Sequence, residues 1–198
     1  ALAEGVREHI ATVRRRLGGA SVVVQIDEPA LPAVLAAAIP TASGFSRHRS
    51  VSPADATQAI DWLVTAIHDS DATSVVHCCA PDVPFGLLRE TSVQAVSFDL
   101  SLLGRNQYDD LAAWVDAGRE LWPGVIPAVE VDGQPPNEAD LTRRLLTWWS
   151  TLGYSDPETL PSVTVTPTCG LAAASPDWAR QALSLAERVA RNLTSEGS

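Results

Sequence analysis

A chain of 198 residues with 45% hydrophobic and 19% charged side chains has the length of one domain and enough apolar mass for a core. Its net charge is −10, all its basic residues are arginine, and the longest basic run is Arg14-Arg15-Arg16 on a helical segment, so it carries no electrostatic footprint for nucleic acid. No apolar run approaches the roughly 18 residues of a membrane span, ALAEGVREHI lacks the layout of a secretory leader, and three cysteines make no disulfide framework, so a reducing cytoplasm is the expected location.

Taken in chain order, helix-like and strand-like segments alternate. A helix is expected over 2–17, followed after Gly18-Gly19 by a β-branched strand, SVVVQID, at 21–27. A short helix near 30–38 precedes SPADATQAIDWLVTAIHDS, 52–70, which opens on a Ser52 cap with Pro53 in the first turn and repeats apolar residues three and four apart. Then come a strand at 73–79 (TSVVHCC), a helix at 84–91, a strand at 94–100 (QAVSFDL) and a helix at 108–122. The order closes with a strand at 124–131 (GVIPAVEV), a helix at 137–153, a strand at 162–167 (SVTVTP), a helix at 175–193 and a frayed TSEGS tail.

Near-continuous apolar strands alternating with helices predict an α/β fold with a parallel sheet buried on both faces, as an open doubly wound sheet or as part of an eight-fold barrel. No Gly-x-Gly-x-x-Gly or Walker-type loop follows the first strand, which removes the usual support for a dinucleotide or P-loop site. In such folds chemistry collects at the carboxyl ends of the strands. Those ends carry Asp27-Glu28-Pro29, His77-Cys78-Cys79, Asp99, Glu130 or Asp132, and Thr168-Cys169-Gly170.

Alternation along a strand turns His77 and Cys79 to one face and Cys78 to the other, where it serves as a small buried residue. His77 and Cys79, with Cys169 and Asp99, make a nitrogen, two sulfurs and an oxygen, donor types that zinc accepts. Spacing leaves this reading open against a strand-end histidine with two core cysteines. Asp27-Glu28 reads as a helix cap before Pro29 or as a rim carboxylate for a substrate ammonium group. Most tryptophans fall in helical patterns, as packing residues, and His48 in SGFSRHRS is a candidate rim residue.

VVQIDEPAL, HCC, VSFDL and VTPTCGLA, in that order between about residues 20 and 175, together resemble the catalytic barrel of the cobalamin-independent methionine synthase family and its short relatives. The resemblance implies a (β/α)8 TIM-type barrel and a zinc cofactor held by His77, Cys79, Cys169 and Asp99. It further implies Asp27 and Glu28 at the amino-acid substrate, and methyl transfer to a thiol such as homocysteine from methyltetrahydrofolate or a corrinoid. Three departures stand beside it. Asp99 is one methylene shorter than the family's usual glutamate. The segment at 124–131 has Glu130 where the family carries a proton-donating histidine, and Glu130 can replace it only with a strongly raised pKa.

Third, five strands do not close an eight-stranded barrel. With no methionine and Ala1 first, residues 1–198 are expected to be the C-terminal portion of one such barrel, completed by an N-terminal half or by self-association. Two other readings remain: a degenerate barrel serving as a binding or assembly module, and the metal-free porphyrin-decarboxylase branch of the superfamily. The scarcity of arginine at the strand ends speaks against the latter.

Overall fold

The computed structural model describes residues 1–154 and 163–196. Five strands, β1 (Val22–Asp27), β2 (Ala72–Cys78), β3 (Ala95–Asp99), β4 (Glu120–Ile126) and β5 (Thr166–Pro167), form one sheet in the order β1-β2-β3-β4-β5. Spatial order therefore follows chain order, and helices occupy the connections, as in successive units of a β/α barrel. The α/β class and the parallel sheet are as expected. The closed eight-stranded barrel is not seen, since the described residues supply five strands. By contacts the chain divides into two compact units, Ala1–Val96 and Ser97–Ser198.

In the first unit α1 (Leu2–Leu17) turns Val6 and Ile10 inward. They pack with Val22, Val24 and Ile26 of β1 and with Ile67 and Ala72, while Val23, Gln25 and Asp27 face the other way and are exposed. This corrects the expectation that every strand is buried on both faces: β1 alternates, as a strand covered by helices on one side must. A short α2 (Leu31–Leu35) begins next to Pro32, whose fixed φ suits a first turn.

α3 (Pro53–His68) starts as the sequence predicts, with Ser52 Oγ accepting from the Asp55 N–H at 3.1 Å, and buries Ala56, Ile60, Val64 and Ile67 along one stripe. Each such isoleucine contributes roughly 1.5–3 kcal/mol by leaving water. At the foot of β2 the buried Ser74 hydroxyl lies 2.9 Å from His68 Nε2 and accepts from the Gln94 N–H, while its own N–H donates to Gln94 Oε1 at 3.0 Å. Parallel register sets Val22 beside Ala72 and Asp27 beside His77, so every second residue of the two strands shares a face. α4 (Phe85–Arg89) follows β2 and buries Phe85 and Leu88.

In the second unit the helix expected to reach Trp122 stops early. α5 spans Tyr108–Asp116, Gly118 takes φ 71°, and Glu120–Trp122 already belong to β4. Glycine has no Cβ to oppose that left-handed turn, so the chain reverses there. Trp114 Nε1 donates to Glu120 O at 3.0 Å and ties the helix to the start of the strand. β4 ends at Ile126, leaving Val129, Glu130 and Asp132 in the loop beyond it.

α6 (Glu138–Thr151) is capped by Asn137, whose Oδ1 accepts from the Asp140 N–H. It supplies Trp148 and Trp149, with Phe98 of β3 edge-on to Trp148 at 5.9 Å between ring centres. α7 (Pro176–Glu196) covers the unit with Trp178, Ala182, Leu185, Val189 and Leu193. Four tryptophans thus pack as expected, whereas Trp62 is 63% exposed. β5 is shorter than the predicted strand, with a parallel bridge from Val163 to Leu121 before it; Ser162 lies outside the described residues. The tail remains helical to Glu196, and its last two residues lie outside the description. No described helix is long and apolar enough to cross a membrane.

Candidate metal centre

His77 and Cys79 lie at the carboxyl end of β2, where the Glu28 N–H donates to His77 O at 2.8 Å and locks the ends of β1 and β2 together. His77 is 6% exposed and Cys79 is half-buried. Cys78 is wholly buried, on the face that Ala72 and Ser74 turn to the helices. Burial, with the charge of Glu28 adding to it, pushes the Cys78 thiol up, against a smaller downward pull from the Ala80 backbone. A protonated, enclosed thiol is neither a nucleophile nor a ligand. In native, metal-free protein a thiol reagent is therefore expected to leave Cys78 untouched while modifying Cys169, with Cys78 reacting only after denaturant; peptide mass mapping reads the difference.

In the second unit Cys169 is exposed and is placed by β5. The Thr168 N–H donates to Ile126 O at 2.8 Å, extending the pairing of β4 with β5 by one residue. That pairing is close because position 124 has no side chain. A Cβ on Gly124 would stand 2.6 Å from Thr168 Cα, 2.8 Å from Pro167 O and 2.9 Å from Phe98 O. After Cys169 a single turn at Leu171–Ala173 leads into α7, which Trp178 Nε1 anchors by donating to Pro127 O at 3.0 Å.

A ring nitrogen of His77 and the Sγ atoms of Cys79 and Cys169 all lie within 4.8 Å of one another, close enough to hold one metal ion. One imidazole and two thiolates form a borderline-soft donor set of the kind that zinc takes in tetrahedral sites with a fourth position left over.

The other residues singled out from sequence stand as follows. Asp99 shares a strand with Phe98 but faces the opposite way. Its Oδ1 accepts from the Ser101 N–H at 2.8 Å and from Ser101 Oγ at 2.6 Å, and it is outside the three-residue group. Asp27 is exposed on His77's face of the sheet, with Gln25 Nε2 donating to its Oδ1 at 2.7 Å. Glu28 has the parity of Val24 and Ile26 and lines a pocket of about 410 Å³ with Ile60, Trp62 and Leu63, away from Asp27's face. Burial first, and the Asp27 charge second, raise its pKa above 4.5.

A carboxyl whose folded pKa lies above its unfolded one favours the native state at low pH. That advantage is lost as pH rises from about 4.5 through the raised value. Urea midpoints measured across pH 4 to 7 should therefore fall more for the parent than for Glu28→Gln; parallel profiles would contradict the assignment.

Glu130 lies in the loop beyond β4. The Ser175 hydroxyl and backbone N–H, the latter at 3.1 Å from Oε1, hold this fully exposed carboxyl below its ordinary range, opposite to what a proton donor needs. It caps the entry to α7 instead. Sequence reasoning passed over Gly124, whose only signal was a glycine in a β-branched strand. His48 is exposed in the loop before α3.

The family described as cobalamin-independent synthase, catalytic domain, matches residues 2–192. No curated protein matches the chain.

Proposed function

The chain belongs to the family of the cobalamin-independent synthase catalytic domain, and from that premise we propose that it is a zinc-dependent methyltransferase acting on a thiol such as homocysteine. Membership implies methyl transfer in methionine synthesis. The single observation that carries the finer reading is the convergence of His77, Cys79 and Cys169 within 4.8 Å. In this proposal those three hold the zinc. Asp99, pinned at its strand end through Oδ1 by Ser101, offers its other oxygen as a fourth donor. Bound zinc supplies Lewis acidity that keeps a substrate thiol ionised near neutral pH, where a free thiol of pKa about 8.5 is mostly protonated. Reduced cysteines at the centre fit a cytoplasmic location.

The chain's own residues then do the holding. Asp27 is assigned to the substrate's ammonium group, because its carboxylate is exposed on His77's face and is oriented by Gln25. Asp27→Asn is expected to raise the KM for homocysteine at least tenfold with zinc content unchanged. A lowered kcat at constant KM would assign Asp27 elsewhere.

Of the two donor types, a corrinoid fits better than a folate. A folate nitrogen must be protonated to leave, and the Glu130 carboxylate accepts hydrogen bonds from Ser175 that favour its form without the proton. A methyl–cobalt bond instead breaks as the thiolate sulfur takes the methyl group and the electron pair stays on cobalt, with no proton delivered. The test is methionine formation from homocysteine by zinc-loaded protein, offered methylcobalamin and methyltetrahydrofolate separately. Product with the first and none from Cys79→Ser is expected. Absence of stoichiometric zinc would overturn the reading and favour the degenerate binding module.

A further inference from the structure

The segment between α2 and α3 forms a small hydrogen-bonded hairpin whose tip is exposed. Pro40 and Arg47 form an antiparallel bridge; the Thr41 N–H donates to Ser46 O at 2.9 Å, and the His48 N–H donates to Ile39 O at 2.9 Å. Thr41 Oγ1 also donates to Ser46 O, and Arg47 Nη1 donates to Ala38 O at 2.6 Å. Gly44, at φ 73°, makes the reversal. At the tip stands Phe45, 96% exposed, and the next four residues carry Arg47, His48 and Arg49, in a chain of net charge −10. A loop with no purpose for its aromatic would gain from any polar residue there. Here all fourteen positions from 42 to 55 are exposed, while backbone hydrogen bonds from Thr41, Gly44 and His48 close the loop.

The same unit carries a groove of matching character. Between α3 and α4 lies a cavity of about 630 Å³ lined by Thr57, Asp61, Trp62, Leu87 and Glu90. Its apolar wall is the half-bare Trp62 ring with Leu87, and its rim is acidic. Asp61 is held in place by the Ser92 N–H at 2.8 Å. We propose that the Phe45 hairpin of one chain docks into the α3–α4 groove of a second copy, the phenyl ring against Trp62 and Leu87 and the arginines beside Asp61 and Glu90. A phenyl ring buries roughly 150–250 Å² and stacks favourably on an indole. Aromatic and arginine side chains in well-packed pockets supply most of the binding energy of such contacts. Opposite charges around the rim set orientation and make the contact salt-sensitive. A contact this small is transient, so association in the micromolar range is expected.

Sedimentation velocity of the full chain across a concentration series tests this, at low and at 0.5 M salt. The expected result is a mass that rises above monomer with concentration, less so at high salt. Phe45→Ser and Glu90→Arg should each weaken self-association at least tenfold. Both positions are on the surface, and unchanged thermal midpoints would show that folding is intact. A monomer at every concentration overturns the proposal, and so does association that either substitution leaves unaltered. Neither result bears on the metal centre, whose zinc content both variants should retain.

Discussion

Changing Cys79 or Cys169 to serine is expected to take zinc content from about one ion per chain to nearly none, in protein purified without added metal and measured by plasma mass spectrometry. A hydroxyl does not ionise at neutral pH and is a poor partner for a borderline-soft ion, so each change leaves two donors where three converge. Removing even an outer-shell partner of a metal ligand costs about 10–100-fold in affinity, and removing the ligand itself costs more. Cys78→Ser is the control, since Cys78 faces the helices, wholly buried. It should lose stability through an unsatisfied buried hydroxyl, about 1–3 kcal/mol, and keep its metal. Zinc lost from Cys78→Ser but retained in Cys79→Ser would reverse the assignment of the two cysteines.

The second large effect is expected from a residue with no functional group. Gly124→Ala forces a methyl to within 2.6–2.9 Å of three backbone atoms on two neighbouring segments, and backbone cannot swing aside as a side chain does. Overpacking of this kind costs about 1–3 kcal/mol, and more where the neighbours are held by a ladder. Thr168 Cα is one of the three atoms and Cys169 is the next residue, so relief by movement of β5 carries a thiolate out of position. Unfolding free energy and zinc affinity should fall together. Gly5→Ala in α1 makes the contrast: nothing lies within 4 Å of its added methyl, and a helix gains roughly 0.5–1 kcal/mol from the exchange. An unaltered zinc affinity in a destabilised Gly124→Ala would separate fold from site and leave Cys169 placed by other means.

Periodicity and capping were enough for the helices that bury a stripe. Ser52, Pro53 and the spacing of Ala56, Ile60, Val64 and Ile67 specify α3 locally, because each contact lies within a turn or two of its neighbour. Where the expected helix ran through Arg119–Trp122, the pattern alone misled. Glu120 and Leu121 suit a helix by propensity, but Gly118 reverses the chain, and β4 is held by partners far away in sequence.

Strand alternation, a property of any extended chain, determined from the sequence alone that His77 and Cys79 share a face and that Cys78 does not. Which distant residue joins them is a question of long-range pairing. The contact of β4 with β5 across the bare Cα of Gly124, 45 residues from Cys169, decides where that thiol stands. The hydrogen bonds that Glu130 accepts likewise come from Ser175, which no local pattern connects to it. Residue types and local parity are written in the chain, whereas approach distances and electrostatic environment exist only once remote segments have packed.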